Sequence, residues 1–192
     1  ITAFWSWLKA HQDDLNALES PEHPFWDELP EHLKRVDEGL WFEVSMPGDG
    51  ERELVITAEG DWELFPLVEA MVAQPHPYVV GFGMGGDEAK FSPVDFAPAF
   101  RMAHSHGYGC TIHAGEVRGP ESVWASIRDL PVTRIGHGVR SAEDPRLLEE
   151  LARRGTVLEV CPGSNVALGL YRDRDEHPLH GLIAAGVCVT LG

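Results

Sequence analysis

The sequence predicts an α/β protein whose larger part is a parallel sheet or most of a barrel, with a small α+β segment ahead of it. Three observations carry that prediction. From residue 76 onward, short β-branched apolar runs alternate with stretches of helical period. The composition changes near Gln74-Pro75-His76-Pro77, dividing the chain into an acidic segment 1–75 and a segment 76–192. Two of the apolar runs also end alike, as Thr111-Ile112-His113-Ala114-Gly115-Glu116 and Arg134-Ile135-Gly136-His137-Gly138. A histidine at the C-terminal tip of a parallel strand faces the crevice where α/β proteins place their chemistry.

The first segment reads as α-α-β-β-α. Phe4, Leu8, His11, Leu15 and Leu18 recur at helical spacing until Pro21. Phe25, Leu29, Leu33 and Val36 repeat the pattern, with Gly39 as terminator. The period then falls to two, and Leu40, Phe42, Val44 and Met46 predict a strand with one buried face. Pro47-Gly48-Asp49-Gly50 is a turn signal, so residues 53–57 return as the second strand of a hairpin. Pro66 suits the first turn of a helix carrying Leu67, Val68, Met71 and Val72. His11, His23 and His32 show no metal-ligand spacing. The stretch 54–61 loosely resembles an uncharacterised bacterial α+β family, which implies no activity.

The second segment alternates strand and helix. Tyr78–Val80 predicts a strand, and Phe96, Phe100 and Ala103 a helix that Gly107 ends. Gly109–His113 is the next strand, followed by a helix through Val123, Trp124 and Ile127 to Leu130. Val132–Ile135 is the third strand. Leu147, Leu148 and Leu151 lie on a helix closed by Arg153-Arg154-Gly155, with cations at its negative end and glycine after it. Thr156–Val160 and Val187–Leu191 are the last two strands, with a helix at Leu179–Ala185 between them. Five strands joined by helical crossovers belong in one parallel sheet.

The chain of 192 residues has a formal net charge of −16, which argues against nucleic acid or an anionic membrane as partner. The charge is uneven. Residues 1–75 hold 17 Asp and Glu against 4 Lys and Arg, while 76–192 hold 14 against 11. Five of the six tryptophans, Trp5, Trp7, Trp26, Trp41 and Trp62, also fall in the first segment. No apolar run reaches the length of a membrane span, and the opening residues lack the basic start of a signal peptide. Cys110, Cys161 and Cys188, odd in number and set in apolar runs, read as buried free thiols, which suggests the cytoplasm. A start at Ile1 and an end at Gly192 suggest a piece of a longer protein.

Chemistry concentrates at the two matching strand ends. Glu116, three residues past His113, stands on the loop above that tip, where a carboxylate can move protons for a water or ligand held by the histidine. Gly81-Phe-Gly83-Met-Gly85-Gly86 also satisfies the G-x-G-x-x-G pattern of dinucleotide sites. Its surroundings oppose that use. Asp87 and Glu88 would face the pyrophosphate, and no acidic residue follows at the distance that holds a ribose.

Gly81-Phe-Gly-Met-Gly-Gly-Asp-Glu88, His113-Ala-Gly-Glu116, Arg134-Ile-Gly-His-Gly138, Glu159-Val-Cys-Pro-Gly-Ser-Asn165 and His177-Pro178 stand in the order seen in adenosine deaminases. The chain resembles the C-terminal half of one, of a bacterial subtype, over about residues 77–192. That resemblance implies a partial (β/α)8 TIM-type barrel, about strands 4–8, and a zinc-dependent hydrolase that converts adenosine to inosine and ammonia. It further implies His113 as a zinc ligand, Glu116 as the acid/base that protonates the purine ring, His137 as the histidine that orients the nucleophile, and Gly86 as a backbone contact beside the purine. The other zinc deaminase design, H-x-E with P-C-x-x-C, is absent.

The departures shape the expectation equally. The family pairs two ligands as His-x-His after its first strand and takes a last one, an aspartate, after its eighth. Here His104-Ser-His106 has the spacing but lies late in a predicted helix, where side chains two apart diverge. One zinc ligand, His113, is thus expected within this chain, and His137 is the candidate for a second. Segment 1–75 stands where the first strands would be, and a half barrel offers open edges for self-association. Two readings follow: an adenosine-deaminase-type enzyme present as an incomplete half-site, or an inactive truncated or chimeric fold serving as a scaffold or interaction module.

Overall fold

The computed structural model describes residues 1–18, 20, 22–44, 54–57, 62–64, 66, 67, 70, 81–85 and 87–191. The chain divides into two compact units, Ile1–Tyr78 and Val79–Gly192.

In the first unit, the single long helix expected up to Leu18 is two helices, α1 (Thr2–Ala10) and α2 (Gln12–Asn16). His11 breaks them apart. Its backbone N–H bonds Leu8 O, three residues back, while its imidazole Nδ1 donates to Trp7 O at 2.8 Å. The side chain takes the carbonyl that a continuing helix would have used. Trp7 stacks on His11, Phe25 and His32, the last at 4.3 Å between centroids. Helix α3 (Phe25–Lys34) buries Phe25, Leu29 and Leu33 on one face, as their spacing predicts. Strands β1 (Trp41–Val44) and β2 (Leu54–Thr57) pair antiparallel, with Trp41 opposite Thr57. Pro66, Leu67 and Ala70 are helical. Met46, the 47–50 turn and residues 71–80 lie outside the described residues, and so does the strand expected at Tyr78–Val80.

The second unit is built on one parallel sheet with its strands in chain order: β3 (Gly81–Met84), β4 (Gly109–Ala114), β5 (Arg134–His137), β6 (Val157–Val160) and β7 (Cys188–Leu191). Sequential parallel neighbours mean that every connection runs over the same side, as in a segment of a barrel wall. The connections are α4 (Ala97–Ser105), α5 (Pro120–Asp129), α6 (Pro145–Arg154), and the pair α7 (Pro162–Ala167) and α8 (Leu179–Ala184). A 3-10 turn at Pro93–Phe96 precedes α4, and another at Val139–Glu143 precedes α6. Helix α7, six residues long, had no counterpart in the sequence reading.

Alternation along β4 separates two faces. Cys110, Ile112 and Ala114 are buried, and α4 and α5 pack on this strand; Thr111 and His113 lie on the other, half-open face. Burying the helix-side face, with Phe100, Val123, Ile135, Leu147, Leu151, Leu158 and Leu182 all at or near zero exposure, holds the sheet in place. On the open face, Glu159 accepts from Thr111 Oγ1 at 2.9 Å and from Arg134 Nε at 2.5 Å, a polar tie across β4, β5 and β6.

Three expectations need correction. Gly81 and Gly83 of the G-x-G-x-x-G run do not form a turn after a strand, because Gly81–Met84 is itself strand β3, paired with Gly109–Ile112. A Cβ at Gly83 would stand 2.8 Å from Thr111 Cγ2, so this glycine serves strand packing rather than a phosphate. Strand β5 begins at Arg134 and runs to His137, two residues later than Val132–Ile135. The cysteines are not all buried: Cys110 is, Cys161 is half-buried, and Cys188 on the edge strand β7 is exposed. No helix among the described residues is long and apolar enough to cross a membrane.

Candidate active site

His113, Glu116 and His137 come together at the ends of β4 and β5. Glu116 Oε2 lies 3.1 Å from His113 Nε2, and Glu116 Oε1 lies 3.0 Å from His137 Nδ1. The two imidazole rings sit 4.5 Å apart between centroids. The sequence reading thus picked three residues that the fold places in one hydrogen-bonded group. Gly86 lies outside the described residues. His104 is on α4 and His106 at its end, both exposed, with His106 Nδ1 bonded to Met102 O in its own helix.

Local backbone geometry does the aiming. His113 occupies the open face of β4 by simple alternation. His137 does not. Along β5 the buried Ile135 faces the helices, so an extended His137 would also point away from the crevice. Its φ of 61°, the one positive value at a non-glycine among the described residues, reverses that direction. Such a conformation costs on the order of 1–3 kcal/mol and persists only when surrounding contacts hold it. Glu116 reaches back over the sheet because Gly115, at φ 72°, turns the chain between them. A Cβ at Gly115 would collide with Val123 Cγ2 of α5. Gly115→Ala is therefore expected to lower stability by about 2–4 kcal/mol, from backbone strain and overpacking together, with the loss read from denaturant midpoints.

Two further groups bind the cluster, and sequence reasoning gave neither a role. Asn165, fully buried in α7, donates through Nδ2 to Glu116 Oε1 at 2.6 Å. The buried His177 places Nε2 3.1 Å from Asn165 Oδ1 and accepts the Leu179 N–H at Nδ1. That acceptance fixes the tautomer: Nδ1 is bare, so Nε2 carries the proton and donates. Burial lowers the His177 pKa, which keeps the ring neutral in this arrangement. Both residues sit in motifs quoted above, yet only the fold brings them to Glu116.

Burial pushes the Glu116 carboxyl up. The His113 hydrogen bond, the charges of His137 and His113, and the Asn165 amide outweigh it and hold this carboxyl below the ordinary range. Burial and then the charge of His113 lower the His137 pKa, against the pull of Glu116. His113, Glu116 and His137 form the one group among the described residues able to hold a metal ion, with ligand atoms all within 4.8 Å of one another. Two imidazoles and a carboxylate are donors that a zinc-type cation takes, so the residue types fit such an ion.

The family model described as "Adenosine deaminase" matches residues 53–192. The chain belongs to the adenosine deaminase family. The match takes in residues 53–76 as well, and so reaches further towards the N-terminus than the motifs from Gly81 onward. A protein of Agrobacterium fabrum named adenine deaminase is 44% identical over 163 residues, which cover 83% of this chain and 50% of the relative. Among solved structures, adenine deaminase from Arthrobacter aurescens superposes with a TM-score of 0.63 at 28% identity, over 68% of this chain and 39% of that one. An amidohydrolase from Burkholderia ambifaria with bound Zn gives 0.61 at 28% identity, over 68% and 37%. This member of the adenosine deaminase family therefore has a partial α/β barrel and spans about half the length of the curated relatives it matches.

Proposed function

We propose that the Val79–Gly192 unit carries the acid/base part of a zinc-dependent purine deaminase site. In the reaction, water adds at C6 of a 6-aminopurine, the C6–N bond breaks, and ammonia leaves with a 6-oxopurine. The observation that carries this reading is the meeting of His113, Glu116 and His137 at adjacent strand tips. The names of the sequence relatives favour adenine over adenosine as substrate.

Each residue has a role suited to its place. Glu116 gives a proton to the purine ring nitrogen, which makes C6 electrophilic. Its Oε1 accepts from Asn165 and lies against His137 while Oε2 meets His113, so the carboxylate rests ionised and takes from the attacking water the proton it delivers. His137, held against Glu116, orients the attacking water. Gly86, just past β3, is the backbone contact for the purine. His113, with the more open imidazole of the two, is the residue that would hold zinc. Bound there, the ion supplies a water acidic enough to act near neutral pH. The acid/base group draws on no described residue of the acidic segment 1–75, although residues 53–75 fall within the family match.

A graft tests the reading. The matching segment of the Agrobacterium fabrum relative is replaced by residues 79–192 of this chain, and loss of adenine and adenosine is followed with release of ammonia. Turnover is expected, higher on adenine, and Glu116→Gln in the graft should lower it by about 10²–10⁴-fold. A folded, zinc-loaded graft that turns over neither purine would instead favour the scaffold reading.

A further inference from the structure

The loop that carries Glu116 is held from outside by a second carboxylate, on a different strand end. Glu88, buried just past β3, receives the backbone N–H groups of four successive residues. Gly115 N donates to Oε1; Glu116, Val117 and Arg118 donate to Oε2 at 3.1, 2.7 and 3.1 Å. Ser122 Oγ, in the first turn of α5, completes the shell at 2.6 Å from Oε1. Consecutive amides converging on one anion form a backbone nest, and here the anion is supplied by the protein itself.

We propose that Glu88 is a positioning residue for Glu116: its carboxylate fixes the four amides between β4 and α5 and so sets where the Glu116 side chain stands between His113 and His137. That consequence for catalysis rests on the deaminase reading, whereas the anchoring does not. The chemistry suits the task. An ionised carboxylate has about four acceptor positions and no donor, so none of the five N–H and O–H groups meets another donor, and the three on Oε2 share its lone pairs. Burial opposes its charge, but the bonds from Ser122, Val117, Gly115 and Arg118 prevail and hold its pKa below the ordinary carboxylate value. The location is equally specific. Arg118 also donates from its guanidinium to Ala89 O at 3.2 Å, so the loops after β3 and β4 are tied twice. Glu88, one of the two carboxylates that argue against a pyrophosphate in the sequence, takes the anion's place in this nest.

The test uses the full chain at neutral pH and needs no turnover. Amide hydrogen exchange is measured by NMR at Gly115 to Arg118, together with the ring ¹⁵N shifts of His113 and His137, in the wild type, Glu88→Gln and Glu88→Asp. Gln keeps the shape but has one acceptor oxygen and turns N–H donors towards N–H donors. It is expected to lower protection at the four amides by at least about tenfold while β6 amides stay unchanged. The His113 and His137 ring signals should move with it, because their shared partner Glu116 is released. Asp, which keeps the charge but is one methylene shorter, should restore part of both effects. Should Gln fail to fold, Asp carries the test alone: protection must then fall more at 115–118 than in β6. Unchanged protection in either folded variant overturns the anchoring. Lost protection with unmoved ring signals overturns the positioning of Glu116 and leaves Glu88 as a loop cap. A graft without deaminase activity would sink the proposed reaction and leave these readouts standing.

Discussion

The isolated chain is expected to lose zinc on dialysis and to leave both adenine and adenosine unchanged. Catalytic zinc takes three protein ligands and an open position for water. Among the described residues the donors near one another are His113, His137 and Glu116. Glu116 is already engaged, since Oε2 meets His113 and Oε1 meets His137 and Asn165. A metal that recruited Glu116 would break those bonds and remove the group that protonates the purine. Two imidazoles then remain, and without a tightly held ion no potent nucleophile forms at neutral pH. Proton transfer from Glu116 contributes only about 10²–10⁴-fold, far below an enzymatic rate enhancement. Metal content after dialysis and purine absorbance with added zinc check this together. Equimolar retained zinc, with turnover that Glu116→Gln removes, would show that this chain completes its own site.

The legible part of this fold was the part written in periodicity. Alternating apolar runs and helical spacing located all but the first of the second unit's strands, and the repeated run-then-histidine ending pointed to the tips of β4 and β5. What escaped has physical reasons. The break at His11 comes from a side chain competing for Trp7 O, which leaves the apolar spacing intact. Helix α7 is too short to display a period. The turn of His137 into the crevice is a backbone event at one residue, and nothing in Arg-Ile-Gly-His-Gly states its φ. In the sequence Glu88 speaks only to what it excludes, a phosphate, whereas its use depends on amides 27 to 30 residues away. Contacts of that span, like Asn165 with Glu116 at a separation of 49, are set by topology alone.

Asn165 is expected to tolerate aspartate worse than alanine, although aspartate has nearly its shape. The order of donors explains why. The Leu179 N–H donates to His177 Nδ1, His177 Nε2–H donates to Asn165 Oδ1, and Asn165 Nδ2 donates to Glu116 Oε1. The amide therefore presents an acceptor on one side and a donor on the other, and its orientation follows from the histidine tautomer. Asn165→Ala leaves the buried His177 Nε2–H without its acceptor and Glu116 without a donor, a loss of about 1–3 kcal/mol for unmet groups. Asn165→Asp keeps the first bond but sets a second carboxylate oxygen against Glu116 Oε1, where 2.6 Å now separates the bonded pair. Two buried carboxylates that close cannot both be ionised, and keeping one of them protonated at neutral pH, about three units above the ordinary carboxylate value, costs about 4 kcal/mol. Denaturant midpoints of the two variants at neutral pH, with the wild type alongside, decide the order. Should aspartate prove the milder change, the amide would be turned the other way, and Glu116 would be receiving its hydrogen bond from elsewhere.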